Sequence, residues 1–345
     1  MIGALVEALR AAPGCVVRER APLGALTTYR VGGGAAIMVQ VADEATLVSV
    51  ARVLASARST GAATPDVLVL GRGSNLLVSD AGFDGMVVVP GDGFTRIAID
   101  GTRVDAGCAV SLPVLARRTV AAGLSGLEWA VGVPGSVGGA VRMNAGGHGS
   151  DTAATLESFR GVDLASGTVF ERPGSALGAA YRRTALGPLE VVTGAVHRLV
   201  PGDPDEGAAR IADIVRWRRQ HQPGGSNAGS VFANPPGDSA GRLIDACGLK
   251  GYRSGTAAVS TKHANFIVAD DGGTAADVLD VLLHVRRTVE QRTGVRLEAE
   301  VRLVGFGDLR EPGHDPVRAR PAVVRPPRVE AQAEAPGDGG AGALS

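Results

Sequence analysis

The sixteen residues from Gly132 to Gly147, GVPGSVGGAVRMNAGG, constrain this chain more than any other stretch. Six of them are glycine and one is proline. Glycine loses more backbone freedom on folding than any other residue, so such a density needs a reason. Close approach supplies one: a ligand lies against the main chain, where Cβ atoms would obstruct it. N–H groups without ladder partners then become donors for an anion. An earlier stretch, Gly71-Arg72-Gly73-Ser74-Asn75, has the same character. Two such loops with strands between them point to a pyrophosphate, or a whole dinucleotide, gripped by backbone. The plain alternative is ordinary turns in an Ala/Gly-rich chain.

The chain has 345 residues, which predicts two or three domains rather than one core. Apolar residues make up 45%, enough for a packed interior. Thirty-five basic side chains balance 35 acidic ones, so charge indicates no nucleic-acid or membrane partner. Cys15, Cys108 and Cys247 are odd in number and far apart. They fit neither a disulfide framework nor a metal site and imply a reducing compartment. The first ten residues carry Glu7 and Arg10 where a signal peptide would be apolar. No run approaches the ~18 apolar residues of a spanning helix, so a cytoplasmic protein is expected.

Residues 2–11 read as an amphipathic helix, and Thr27 to Gly34 as a strand end with a glycine turn. Asp43 to Arg58 has helical periodicity. Val67 to Leu70 is continuously apolar, as in a strand buried on both faces, and leads into the first glycine loop. Short strands follow at 76–78, 86–89, 97–99 and 103–106, then a helix over 111–122. Strands resume at 158–164, 169–171 and 191–199. Pro201-Gly202-Asp203-Pro204 reads as a linker, followed by a helix from Asp205 to about Gln220 with a basic C-terminal end. A helix over 239–247, a strand over 265–268, a helix over 274–293 and a strand over 297–304 complete the pattern. Thr274 and Asp277 form a capping pair for the long helix, and Gly294 ends it. Beyond Leu309, Pro and Ala dominate without apolar periodicity, so the tail is expected to be disordered.

TTYRVGG, LGRGSNLL, GVPGSVGGAVRMNAG, AYR, GSVFANP and LEAEVRLVG, in this order and spacing, resemble the UDP-N-acetylenolpyruvoylglucosamine reductase family. The resemblance covers roughly residues 20 to 306. It implies an α+β fold in three parts. Residues 1–201 would form an FAD-binding unit of the vanillyl-alcohol-oxidase (PCMH) type. Residues 202–308 would form a smaller α+β substrate-binding unit, and 309–345 the tail. It implies NADPH-dependent reduction of an enolpyruvyl ether on a UDP-linked amino sugar, a step of peptidoglycan precursor synthesis. The partners implied are that substrate, NADPH and FAD, with no nucleic acid, no membrane and a monomeric enzyme.

Such a reaction needs an electrophile near the substrate carboxylate and a proton donor for one alkene carbon. By resemblance, Arg182 in AYRRT, Ser230 in GSVF and Glu300 in EAEVR carry the catalysis. A guanidinium suits a carboxylate, since it is always charged and forks two donors. On a regular strand Glu298 and Glu300 share a face, so spacing leaves both open and only the motif selects Glu300. Asn234 and Arg218 are the implied substrate contacts. Tyr29, Arg30, Gly32 and Gly33 should approach the cofactor. Gly71, Arg72, Gly73, Ser74 and Asn75, with Pro134, Gly135, Ser136, Gly138 and Gly139, should hold the pyrophosphate. Asn144, Ala145 and Gly146 should lie near the isoalloxazine. The first glycine loop contains no histidine, which implies non-covalent FAD; no metal is implied. Another FAD-dependent oxidase or dehydrogenase of the same flavin fold is the alternative. A dinucleotide fingerprint is absent, because Gly71-Arg72-Gly73-Ser74-Asn75-Leu76 lacks its last glycine.

Overall fold

The computed structural model describes residues 2–60 and 64–307. The tail from 309 onward lies outside them. Four buried clusters form the interior.

The first layer comprises α1 (Ile2–Ala11), β1 (Cys15–Ala21), β2 (Ala35–Val41), α2 (Glu44–Ser59), β3 (Val67–Val69), β4 (Leu76–Val78) and β5 (Phe83–Pro90). Its sheet runs β1-β2-β5-β3, with β1 antiparallel to β2 and the other pairs parallel. Asp43 caps α2 by accepting the Thr46 N–H at 2.8 Å, as the helical reading requires. Leu47, Val50, Ala51 and Leu54 then pack with Ile37, Val39, Val41, Met86 and Val88. β3 departs from expectation. It is an edge strand, and Val69 is 37% exposed because its apolar run lines a cavity.

Thr27 to Gly34 is loop, not strand end. Gly32 has φ +98°, and a Cβ there would stand 2.1 Å from the Val78 carbonyl oxygen. One on Gly33 would stand 2.5 Å from that of Asp80. These glycines let chain approach chain, which is a packing reason rather than a ligand-binding one.

The second layer contains β6 (Ile97–Asp100), β7 (Arg103–Gly107), α3 (Leu112–Ala121), β8 (Leu124–Ser125), α4 (Val137–Met143), the hairpin β9 (Gly146–Gly147) with β10 (Ser150–Asp151), β11 (Leu156–Asp163), β12 (Val169–Pro173) and β13 (Glu190–Arg198). The sheet is antiparallel, in the order β12-β11-β13-β7-β6. The expected linker is tied down. β14 (Val200–Pro201) pairs with β8, and Asp203 caps α5 (Pro204–His221). Ile211 and Ile214 of α5 join the core of this layer, so the helix beyond the linker packs on the chain before it.

His197 on β13 is buried, with Nδ1 2.9 Å from Thr155 Oγ1. Burial pushes its pKa down to about 4 from 6.5. The unfolded chain therefore takes up a proton that the fold refuses. The resulting stability is complete above about pH 6.5 and is lost as pH falls toward 4, by at most roughly 3 kcal/mol. Denaturant unfolding at pH 7.5 and 4.5 should show this loss, and His197→Gln should flatten it. An unchanged pH slope in the variant would assign the loss to other groups.

The C-terminal part holds α6 (Ala240–Ala246), β15 (Arg253–Ser254), β16 (Ala257–Val259), β17 (Ile267–Ala269), α7 (Ala275–Thr293) and β18 (Arg302–Val304). Its core takes in Tyr29, Val31 and Leu77 from the first layer. β18 pairs in parallel with β4, and the Asp80 carboxylate caps α7 by accepting the Ala275 and Ala276 N–H groups at 2.9 Å. The expected capping pair is half made. Thr274 Oγ1 accepts the Asp277 N–H at 3.1 Å, but the Asp277 carboxylate accepts from the Thr256 N–H and hydroxyl.

The expected last strand is regular only over Arg302–Val304. The N–H groups of Glu300 and Val301 both reach the Val231 carbonyl, at 2.8 and 3.3 Å. Two successive donors on one acceptor break the alternation of a strand. Glu298 and Glu300 consequently do not share a face: Glu298 is exposed and Glu300 turns inward. The strand expected over 265–268 begins at Ile267 instead, because Asn265 serves another purpose described below.

Candidate active site

A cavity of about 730 Å³ runs between the first two layers and ends against the C-terminal part. Gly71 to Asn75 line it, as do Pro134, Gly135, Ser136, Gly138, Gly139, Ala145 and Gly146. Arg182, Arg218, Ser230 and Glu300 line it too. Both glycine loops and all three expected catalytic residues therefore meet at one cavity.

The loops differ in what they offer. Among the described residues, no N–H group from Gly71 to Asn75 donates to a protein acceptor. Five successive uncommitted donors on residues that line a cavity suit an anion cradle. The other stretch is not all loop: α4 begins at Val137, and the Val137 and Gly138 N–H groups are spent, on the carbonyls of Val110 and Cys108 at 2.9 Å. Its contribution is space. A Cβ on Gly135 would meet nothing nearer than 3.6 Å, and one on Gly139 only Ser136 Oγ at 3.5 Å. The loops also touch: a Cβ on Gly71 would stand 2.6 Å from Ser136 Oγ.

Arg182 sits in a tight turn at φ +55°, a left-handed conformation that ordinary side chains avoid. Its Nε lies 2.8 Å from Glu300 Oε1, and its Nη2 donates to the Gly146 carbonyl at 2.9 Å. Burial pushes the Glu300 carboxyl above its usual range, and Arg182 offsets this only in part. Ser230 follows a loop fixed from both sides. Asn227 Oδ1 accepts the Gly229 N–H at 3.0 Å. Buried Asn265 clamps the other side: its Oδ1 accepts the Phe232 N–H at 2.9 Å, and its Nδ2 donates to the Phe232 carbonyl at 2.8 Å. Asn75 Nδ2 donates to the Glu300 carbonyl at 3.1 Å, tying the first glycine loop to the segment that carries Glu300.

Six expected residues lie elsewhere. Tyr29 is wholly buried in the C-terminal core, and Arg30 is exposed away from the cavity wall. Gly32 and Gly33 serve the chain crossing described above. Asn144 is buried, with its amide committed to protein partners. Asn234 Oδ1 accepts the Ala240 N–H at 3.1 Å and so caps α6.

Other residues enter without having been expected. Arg142 and Arg302 line the cavity. Burial holds both guanidiniums below their usual range, and Arg302 adds like-charge repulsion at Arg142. Arg142 was legible as the one charged side chain inside the glycine stretch, and Arg302 as a cation two residues after Glu300. Gln222 also lines the wall, and its Oε1 accepts from Arg218 Nε at 2.7 Å.

A sequence model of the FAD-binding domain matches residues 35–172, which places the chain among FAD-binding proteins of mixed α+β architecture. The model of the UDP-N-acetylenolpyruvoylglucosamine reductase C-terminal domain matches residues 219–304. UDP-N-acetylenolpyruvoylglucosamine reductase 2 of Symbiobacterium thermophilum is 45% identical over 84% of this chain and 92% of its own length. The reductase of Rubrobacter xylanophilus is 41% identical over 82% and 94%. The crystal structure of the reductase from Thermus caldophilus superposes with a TM-score of 0.72 at 36% identity, covering 84% of this chain and all of that one. The chain belongs to the UDP-N-acetylenolpyruvoylglucosamine reductase family.

Proposed function

We propose that this chain reduces UDP-N-acetylenolpyruvoylglucosamine to UDP-N-acetylmuramate with NADPH and bound FAD. The observation that carries the reading is the meeting of Arg182, Ser230 and Glu300 with the uncommitted Gly71–Asn75 donors at one cavity. The cavity falls within the roughly 300–1,000 Å³ range of small-molecule sites. Its open floor at Gly135 and Gly139 suits a cofactor lying against backbone. FAD, when bound there, supplies the hydride that it takes from NADPH.

The chain's own residues do the rest. Gly71 to Asn75 hold the pyrophosphate through their N–H groups. Arg182 holds the substrate carboxylate, where negative charge accumulates in the transition state. Glu300, its pKa raised, gives a hydrogen bond to the same developing enolate. Ser230 delivers the proton to the adjacent carbon. Arg218 meets the substrate diphosphate.

On this reading the FAD-holding part runs through α5, past the 201–202 division expected from sequence, and the substrate part follows from about residue 222. The substrates are charged nucleotides that do not cross bilayers, which supports a cytoplasmic site of action; the enzyme is proposed to be a monomer. No helix among the described residues is long and apolar enough to cross a membrane.

FAD should be held without a covalent bond. Among the described residues no histidine lines the cavity. The Cys108 thiol, which does, is pushed up to about 12 by burial and is a poor nucleophile. Acid precipitation should release all the yellow colour into the supernatant. Colour in the pellet would overturn the non-covalent reading. NADPH should bleach the purified protein, and the enolpyruvyl substrate should restore its colour under anaerobic conditions. Bleaching without restoration would favour another oxidoreductase of the same fold.

A further inference from the structure

Asn144 ends α4 in the left-handed conformation, at φ +41°, with 3% of its surface exposed. It does not line the cavity. Its Nδ2 donates to Asp151 Oδ2 at 3.0 Å and to the Ala180 carbonyl at 3.3 Å, and its Oδ1 accepts the Ala153 N–H at 3.0 Å. Ala180 opens the turn that carries Arg182. That turn is closed by the Ala180 N–H on the Arg183 carbonyl at 2.9 Å and the reverse bond at 3.1 Å. Two more links join the same segments. Arg182 Nη2 donates to the Gly146 carbonyl and Thr184 Oγ1 to the Arg142 carbonyl, both at 2.9 Å. Three cross-links thus lash residues 142–146 to residues 180–184, with Asn144 at the centre.

A left-handed non-glycine residue costs about 1–2 kcal/mol and persists only where its surroundings enforce it. Arg182 and Asn144 both pay it, on opposite sides of this lashing. A turn left to itself would relax, and the guanidinium would swing with it.

We propose that Asn144 is a positioning residue that aims Arg182 at the substrate carboxylate. The proposal rests on the reading of Arg182 given above. It gives the asparagine a role through another side chain rather than through the cofactor. Bidentate recognition tolerates little error, and a misplacement near 1 Å can cost about 10²-fold in rate.

Asn144→Gly is the informative variant, because glycine keeps the left-handed backbone and removes only the amide. FAD content and the rate of bleaching by NADPH should stay within about twofold of the parent. The substrate-dependent return of colour should fall about 10- to 100-fold. In an Arg182→Lys background the same change should cost less than about threefold, since there is no longer a guanidinium to aim. Asn144→Asp, which cannot donate to the Ala180 carbonyl and sets a second carboxylate against Asp151, should lose at least as much as the glycine variant. It decides the matter if the glycine variant sheds FAD. Full activity in both variants, or losses that multiply in the double variant, would overturn the proposal. So would loss of FAD in both, because Asn144 would then be holding the cofactor loops as a whole. If Arg182→Lys alone is silent, the reading of Arg182 fails, and this one with it.

Discussion

Glu300→Gln should slow the substrate-dependent step by about 10²- to 10³-fold, while Glu298→Gln leaves it within about twofold. The contrast comes from geometry that strand periodicity does not give. Glu298 is exposed, and Glu300 faces the cavity 2.8 Å from the Arg182 guanidinium. An ionised Glu300 would repel the enolate forming on the substrate carboxylate, whereas a protonated one donates to it. Burial raises its pKa, which keeps the protonated form accessible nearer neutrality than for an ordinary glutamate. The sign follows. Activity should decline as pH rises through this raised pKa and should be retained below it. Glutamine has no proton to lose, so its residual rate should be flat across that window. Pre-steady-state rates of colour return between pH 5 and 9 measure this. Equal losses at positions 298 and 300 would show that neither is singled out by the site. A titrating limb that survives in Glu300→Gln would belong to another group.

Helices α2 and α7 were legible because each carried its own punctuation, whereas α4 (Val137–Met143) was not, since it lies inside the stretch that reads as a glycine loop. Asp43 and Thr274 cap α2 and α7 where a short polar side chain precedes an apolar stripe, and Gly294 ends α7 at φ +73°. The glycine loops were legible as a density, but not glycine by glycine. Gly135 leaves room for a ligand, whereas Gly32 leaves room for Val78. Sequence cannot separate the two, since both require the missing Cβ and only the fold says what occupies the space. Tyr29 was misplaced for a related reason. A tyrosine beside glycines suits a cofactor wall as well as a core, and the choice depends on α7 and Val301, far along the chain. Glu298 and Glu300 stood on one face only under the assumption of a regular strand. The doubled donation to the Val231 carbonyl removes that regularity, and it involves a partner some seventy residues away. Asn265 and Asn144 escaped notice as scaffold. A buried asparagine spends its amide on partners fixed by tertiary structure, and nothing local announces them.

Ser230→Ala should keep FAD and keep rapid bleaching by NADPH, but lose substrate-dependent colour return by at least about 10³-fold. The two halves of the reaction make different demands. Bleaching delivers no proton to a substrate carbon; substrate reduction must. Serine is a weak acid in water, so the claim depends on what surrounds it. Among the described residues the Ser230 hydroxyl makes no protein hydrogen bond, so its proton is uncommitted. Its backbone is fixed on either side, by Asn227 at Gly229 and by Asn265 at Phe232, which holds the residue at the cavity wall. Arg182 and Arg218 share its cavity and lower the cost of a transient alkoxide. The enolate it meets is a strong base, which favours transfer even from a poor acid. A positioned general acid is worth about 10²- to 10⁴-fold, and removing one from an otherwise intact site should show near the top of that range. Alanine removes only the hydroxyl oxygen of a residue on the cavity wall, so it opens no hole in a packed core. Ser230→Cys should recover part of the loss, since a thiol also donates. Stopped-flow absorbance of each half-reaction separates the outcomes. If alanine slows bleaching and colour return alike, Ser230 is holding the loop in place, and the proton comes from Glu300 or from water. If cysteine proves no better than alanine, proton delivery is not what the hydroxyl provides.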